Sequence, residues 1–576
     1  MFSNLLPRQP GAEPLAAALR KISVHFAWAA VFSALVNILY LAPTLYMMQV
    51  YDRVVPTGGM LTLVLVTAAA LFALATLAIL DWLRTRLLIR AGLRLDKALA
   101  PVVLARVFAL QGRQQTTQAM REFDTFRSAV AGQGVLALLD APWTPLYLAC
   151  CFLLHPWIGV LTLVGGAILF TLAILNERDG RPRLRRAIQL TNAAYASQEA
   201  LTIQAEVVCA LGMRKTSADR QIQQRELAIQ QNADAQFNGG RYAGAIKFLR
   251  LAMQSLALGL AAFLAVKGDI SPGSIIAASV LLSRAVAPVE MLVGAWPNLV
   301  QARSSWNSLI ELFVSTAEVD QPTTILPAPA GRLQVEGVTV RLPGTQHPQL
   351  NNVSFTLDPG QTLGVIGASG SGKTTLARVI AGAVRPATGV VRLDSAAYAA
   401  RDSDDLARHI GYLPQTPGLF AGSVKDNISR FSAIGPDPEI DRTAVAAAQA
   451  AGAHDMILRL PQGYDTVLGP FGQGVSAGQA QRIALARALF GDPALIVLDE
   501  PNSALDQEGE SALMTAILNA ARRGAAVVIV AHRAGVLSRV DRLVTIRDGV
   551  IQLEGPREEV LTKLRASAPA VGARPQ

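Results

Sequence analysis

Between Ala141 and Asn176 the chain contains no Asp, Glu, Lys or Arg. A helix needs about twenty apolar residues to cross the hydrocarbon core of a bilayer. This stretch is too long for one crossing and about right for two, hinged at His155-Pro156. Residues 28–50 form another uncharged run, and residues 54–80 a further one that closes on Asp81, Arg84 and Arg86. A fifth run, 251–266, follows Lys247 and Arg250; a sixth starts after Ser271-Pro272-Gly273 and continues past Arg284 to about Trp296. The first half of the chain therefore reads as an all-α domain of six membrane-spanning helices. Arg284 and Glu290 are charges inside the last of them. Such charges line a cavity or pair with a neighbour, so both are expected to face the interior of the assembly or to form an ion pair with another span.

Charge sets the orientation. Between the second and third spans lie Arg84, Arg86, Arg90, Arg94, Lys97, Arg106 and Arg113, and between the fourth and fifth lie Arg178, Arg181, Arg183, Arg185, Arg186, Arg214 and Lys215. The three short connections carry only Arg53, no cation, and Lys267. By the positive-inside rule the two long basic segments face the cytoplasm, and an even number of spans returns the chain to that side. Only 16% of residues are charged, against roughly 25% in a soluble domain. The formal net charge of +10 sits in clusters flanking the apolar runs. That pattern suits an anionic lipid surface, and no recognition motif for nucleic acid accompanies it. Cys150, Cys151 and Cys209 lack metal-site spacing and read as packing residues. No cleavable signal peptide is expected, so insertion relies on the first span. The long basic segments, for example 192–231 with its many Ala, Gln and Glu, read as membrane helices that continue into the cytoplasm.

The transmembrane domain is placed at 1–315 and a Pro-containing linker at 316–330. An α/β domain is expected over 331–565 and a disordered tail over 566–576. In the α/β part, Gly367-Ala368-Ser369-Gly370-Ser371-Gly372-Lys373-Thr374 fits G-x-x-x-x-G-K-[ST], after an apolar strand at 362–366 and before a helix at 375–381 that Thr375 opens. Glycines let backbone N–H groups wrap a phosphate, and the helix N-terminus adds its dipole. Lys373 is suited to the β- and γ-phosphates of ATP and the Thr374 hydroxyl to Mg²⁺. A second apolar strand, 494–498, ends in Asp499-Glu500. Asp499 is the expected Mg²⁺ ligand and Glu500 the general base for an attacking water. Val475-Ser476-Ala477-Gly478-Gln479 precedes an amphipathic helix at 480–490. Ser476 is a good N-cap, which makes a second anion-binding helix start. One phosphate loop already occupies one side of the nucleotide, so this start has to approach from elsewhere.

These residues resemble the ATPase domain of ABC transporters. The pentapeptide is similar to the LSGGQ signature, Gln415 in Tyr412-Leu413-Pro414-Gln415 to the Q-loop, Ser503-Ala504-Leu505-Asp506 to the D-loop, and His532 after the strand 526–530 to the switch histidine. The resemblance implies a head-to-tail homodimer in which each ATP lies between one phosphate loop and the partner's signature. It places Ser476, Gly478, Gln479 and Asp506 at the nucleotide, makes His532 and Gln415 catalytic with Glu500, and gives Gln415 a share of the Mg²⁺. Two departures stand out. Ala477 replaces the first signature glycine, and Leu342 stands where the family often stacks an aromatic on adenine.

The membrane half is similar to type I secretion ATPases in Val50-Tyr51-Asp52-Arg53-Val54-Val55-Pro56, as is Asp499-Glu500-Pro501-Asn502-Ser503. The group that matches is the bacterial exporters of proteases, lipases and S-layer proteins. That resemblance implies ATP-driven export of an unfolded protein across the inner membrane, with a periplasmic membrane-fusion adaptor and an outer-membrane channel. An exporter of lipids or small amphiphiles is the alternative with the same architecture. A non-transporting ATP-binding scaffold would not need Glu500, His532 and six spans.

Overall fold

The computed structural model describes residues 10–109, 116–317, 326–341, 347–432, 435, 437–531 and 537–567. Arg113, Leu342, His532, most of the expected linker at 318–325, and the tail from 568 onward lie outside them. The chain divides into two compact units, 1–320 and 321–576.

Among the described residues of the first unit six helices are long and apolar enough to cross a membrane. They are Glu13–Thr57, Met60–Phe108, Gln118–Leu154, Pro156–Ile203, Arg214–Lys267 and Pro272–Ser315. Five of them contain an expected run and extend past it, since the flanking segments are themselves helix-forming. The second instead begins at Met60, inside the expected run 54–80, because residues 54–57 still belong to the first helical segment. The break between the third and fourth spans falls at His155, whose backbone is extended and whose Nδ1 accepts a hydrogen bond from Trp157 N at 3.2 Å. The first span bends: Glu13–Leu39 gives way to Ala42–Gln49 and then to a π turn at Val50–Val54. Leu61, Leu71 and Phe72 on the second span are largely exposed, a composition that suits contact with lipid.

Two cations counted above as markers of orientation are buried. Arg84 places Nη1 2.6 Å from Asp140 and Nη2 2.6 Å from Asp81. Asn37 Nδ2 donates to the same Asp140 oxygen at 2.9 Å, Ser33 Oγ also donates to it, and Tyr147 OH donates to the Asn37 carbonyl at 2.8 Å. The network joins the first three spans where the third passes through a 3₁₀ turn at Ala141–Trp143. A carboxylate and a guanidinium away from water persist when paired and hydrogen-bonded in this way. Arg106 is 1% exposed and donates to the Thr316 carbonyl.

Asp52, inside the π turn, has both carboxylate oxygens engaged. Oδ1 accepts from Gly273 N at 2.7 Å and Oδ2 from Ser271 Oγ at 2.6 Å. An acid at a helix start is favoured by the exposed N–H groups and the helix dipole, and here the acid comes from a different span. A Cβ on Gly273 would lie 2.8 Å from both Asp52 Oδ2 and the Met48 carbonyl, so the close approach requires glycine. Of the two charges within the sixth run, Glu290 pairs with Arg250 of the fifth span at 3.0 Å. Arg284 instead sets its guanidinium carbon 3.8 Å from the centroid of the Tyr40 ring.

The second unit is α/β. Strands β1 (Leu333–Val340), β2 (Leu350–Leu357), β4 (Thr388–Leu393) and β5 (Ala396–Ala397) form an antiparallel sheet in the order β2-β1-β4-β5. The main sheet comprises β3 (Thr362–Gly367), β6 (Ile410–Leu413), β9 (Leu495–Asp499), β10 (Ala526–Val530), β11 (Arg542–Arg547) and β12 (Val550–Pro556), in the order β12-β11-β3-β10-β9-β6. A short ladder of β7 (Gly422–Ser423) and β8 (Val467–Leu468) lies apart from both. All neighbours in the main sheet are parallel except β11 and β12. Parallel strands are buried on both faces. Accordingly β10 and β9 up to Leu498 read as apolar runs, with Leu495, Val497, Val528 and Val530 in one core and Ile496, Leu498, Val527 and Ile529 in the other. Each such side chain contributes roughly 1.5–3 kcal/mol on burial. The last described helix runs Arg557–Ser567.

Candidate functional site

Parallel strands deliver their C-terminal ends to one edge of the sheet, and ligands of open α/β sheets bind there. In register, Val530 of β10 lies opposite Val365 of β3 and Asp499 of β9, and Leu498 lies opposite Leu413 of β6. One edge therefore collects the loop that begins at Gly367, the Asp499-Glu500 pair, and Gln415, which is exposed two residues past β6. His532 follows β10 by two residues and lies outside the described structure.

The loop is held open by its own backbone. Gly372 has φ +103, and a Cβ there would sit 2.6 Å from the Gln349 carbonyl. Ala368, Ser369 and Gly370 form the exposed crest, while Ser371 is buried. The helix Lys373–Ile380 starts directly from the loop. The N–H groups of Gly372, Lys373, Thr374 and Thr375 have no carbonyl earlier in that helix to bond. Lys373 is buried, and its ammonium donates to the Gly367 carbonyl at 3.0 Å and the Ala368 carbonyl at 2.7 Å. Burial pushes its pKa down, and the nearby Glu500 and Asp499 carboxylates pull it back up.

Asp499 is fully buried. Its Oδ1 accepts from Thr374 Oγ1 at 3.4 Å, and Oδ2 has no partner among the described residues. Burial pushes its carboxyl upward in pKa, against the Thr374 bond and with the Glu500 charge. An orphaned carboxylate oxygen costs free energy unless something satisfies it. A hydroxyl beside it and acidic neighbours make an all-oxygen donor set suited to a hard divalent cation. Glu500 has φ +49, a left-handed conformation that costs a non-glycine residue about 1–2 kcal/mol. Its amide donates to the Val530 carbonyl at 2.9 Å, and its carbonyl accepts from Ser503 N at 3.2 Å. Strain of this kind concentrates at functional sites.

The remaining expected residues form a second cluster. Ser476 caps the helix Ala477–Leu489 in a reciprocal box: Ser476 N donates to Gln479 Oε1 at 2.8 Å and Gln479 N to Ser476 Oγ at 3.3 Å. A Cβ on Gly478 would lie 3.0 Å from the Ala504 carbonyl. Asp506 caps the helix Gln507–Arg522 and accepts from Gly509 N at 2.8 Å and Arg482 Nη2 at 2.6 Å. Those two donors hold its carboxyl below the usual range. Gln481 Nε2 donates to the Pro501 carbonyl at 3.0 Å. The start of the helix at 477 and the segment 501–506 are thus joined as one body. Among the described residues no hydrogen bond links Ser476, Gly478, Gln479 or Asp506 to the loop 367–374. Arg482 and Gln481 were not singled out from the sequence. Their spacing from Ser476 is that of an ordinary amphipathic helix, and only the fold shows what they touch.

Residues 350–503 match the ABC transporter family. The chain also shares its fold with a bacterial Atm1-family ABC exporter solved with ATP bound, at a TM-score of 0.79 and 22% identity over 96% of this chain and 100% of that one. The protein is accordingly an ABC-type transport ATPase that binds nucleotide. The type I secretion system ATP-binding protein PrsD of Rhizobium meliloti (strain 1021) is 42% identical over 96% of this chain and 94% of its own length. The alpha-hemolysin translocation ATP-binding protein HlyB of Escherichia coli O157:H7 is 29% identical over 92% of this chain and 76% of its own. The chain belongs to the type I secretion ATP-binding proteins. It is a multi-pass protein of the bacterial inner membrane with its ATPase domain in the cytoplasm.

Proposed function

We propose that this chain is the permease and ATPase of a type I secretion system and that it exports an unfolded polypeptide across the inner membrane. The observation that carries the reading is the 42% identity to a type I secretion ATP-binding protein, which extends through both units. In this reading the N–H groups of the loop 367–372, with those of Lys373, Thr374 and Thr375, hold the phosphates of ATP. Lys373 exchanges its two loop carbonyls for phosphate oxygens. Thr374, Asp499 and Gln415 are the residues that hold Mg²⁺, and the unpartnered Asp499 oxygen beside Thr374 supports that assignment. The cation supplies neutralisation of charge on the transferred phosphoryl group. Glu500 orients and deprotonates the attacking water, and His532 completes the catalytic set.

Ser476, Gly478, Gln479 and Asp506 make no bond to their own chain's loop, which supports a head-to-tail homodimer. In it the start of the helix at 477 meets the nucleotide held by the other copy. A periplasmic membrane-fusion adaptor and an outer-membrane channel complete the path, and the secreted protein is the cargo. The test is to remove this chain from the cell and compare proteins in the medium, restoring it as wild type or as Glu500→Gln. Loss of a secreted protein that only the wild type restores supports the reading. An unchanged set of secreted proteins with altered membrane lipid would instead identify an exporter of lipids or amphiphiles.

A further inference from the structure

The six apolar runs contain two charged residues, Arg284 and Glu290. Glu290 has its counterion in Arg250. Arg284 does not: among the described residues no carboxylate and no hydrogen-bond acceptor lies within bonding distance of its guanidinium. Its contact is the Tyr40 ring of the first span, 3.8 Å away, and the side chain is half-buried. At about 1.5 Å per residue, Arg284 lies roughly 18 Å along the helix from Pro272, within a hydrocarbon core of about 30 Å.

An unpaired guanidinium at that depth is disfavoured against lipid, so its exposed part faces a water-filled interior. The aromatic ring attracts the cation through its quadrupole and fixes its position. It uses the π face and leaves the N–H groups free to donate. A carboxylate partner among the described residues of the chain would have neutralised the charge, as Glu290 does for Arg250. Lipid phosphates lie at the edges of the core and not near its middle, which leaves an anion that travels through the interior.

We propose that Arg284, braced by Tyr40, is the position on the translocation path that reads the Asp and Glu side chains of the passing polypeptide. This assignment rests on the protein-export reading above. A single half-exposed guanidinium attracts a carboxylate without clamping it. Cargo in transit requires such a contact, since each side chain must also leave. Acidic segments are thereby favoured over neutral ones of the same length.

The test uses full-length protein in lipid nanodiscs. The probes are an unfolded Asp-rich peptide and the same peptide with every Asp replaced by Asn. Stimulation of ATP hydrolysis is measured against each variant's own basal rate. Wild type is expected to reach half-maximal stimulation at about tenfold or more lower concentration of the Asp peptide than of the Asn peptide, the effect of a hydrogen bond between charged groups. Arg284→Gln should raise the concentration needed for the Asp peptide to that of the Asn peptide, and leave the response to the Asn peptide in place. Arg284→Lys should keep most of the preference, which separates charge from folding. A wild type that does not distinguish the peptides, or an Arg284→Gln that still does, overturns the assignment while protein export stands. A difference confined to chloride dependence would assign the site to an inorganic anion and also overturn it. Stimulation by amphiphiles with no response to either peptide would remove the export reading itself.

Discussion

Replacing Glu500 by Ala and by Gly separates the two things this residue does. Both variants lack the carboxylate, so both should lose about 10²–10⁴-fold in ATP turnover if Glu500 is the general base. They differ in a Cβ held at φ +49. That angle is fixed from both sides, by the amide bond to Val530 and the carbonyl bond from Ser503. A non-glycine residue there costs about 1–2 kcal/mol, and the greater unfolded freedom of glycine returns about 0.5–1 kcal/mol of that difference. The net advantage of Gly over Ala is therefore about 1 kcal/mol. For a domain of this size that is a rise of about 2–4 °C in the midpoint of thermal unfolding. Full-length protein in detergent, followed at the transition of the ATPase domain, gives the comparison. At an ordinary strand or helix position Ala would be the more stable of the two. An Ala variant that matches or exceeds the Gly variant would show that the backbone at 500 is not left-handed, and the strain argument would fail.

Glu500→Gln should keep ATP binding, read by a fluorescent nucleotide analogue, while turnover falls by the same 10²–10⁴-fold. Asp506 has a depressed pKa when folded, so its ionised form adds stability above the unfolded value of about 3.9, and that contribution is lost as pH falls through the folded value. The difference in urea midpoint between wild type and Asp506→Asn should accordingly shrink towards zero in acid, and a difference that persists there would refute the linkage. Gly273→Ala should destabilise the membrane unit by about 1–3 kcal/mol through overpacking against Asp52 and Met48, measured as the fraction still monodisperse after heating. Leu342→Tyr should tighten nucleotide binding by up to about 1.5 kcal/mol if the ring stacks on adenine, read by equilibrium titration.

Much of the fold was legible because its signals are local. An uncharged run announces a span, and strand, glycine-rich loop and helix announce a phosphate site in sequence order. The break at His155-Pro156 and the strand at 526–530 fall where the residues place them. Helix ends were less legible. The run from residue 28 belongs to a helix that begins at Glu13, because polar residues continue a helix as readily as apolar ones once it has started. Pairings between distant segments were not legible at all. Arg84 and Arg106 read as markers of orientation because nothing near them in sequence reveals Asp140 or the Thr316 carbonyl. Glu290 was open between a cavity and an ion pair until the fifth span brought Arg250 beside it. The sequence shows the phosphate loop and Asp499-Glu500 each following an apolar strand, and the parallel register of β3, β10 and β9 brings those strand ends to one edge. The bonds that tie the start of the helix at 477 to the segment 501–506, through Gln481 and Arg482, are likewise not contained in motif order.

The grip of Asp52 on the start of the sixth span has a consequence for inheritance. The acid bonds a main-chain amide and a serine hydroxyl, and the neighbouring position admits no side chain. The two loops thus recognise each other through the shape of a gap rather than through a matched pair of residues. Such a contact leaves little room for gradual compensation, since a larger residue at 273 has no smaller partner at 52 that still carries a charge. Lineages should keep or lose the three positions together. A chimaera that imports the loop between the fifth and sixth spans from a distant exporter should assemble when that loop brings its own Ser and Gly in register, whatever the rest of its sequence.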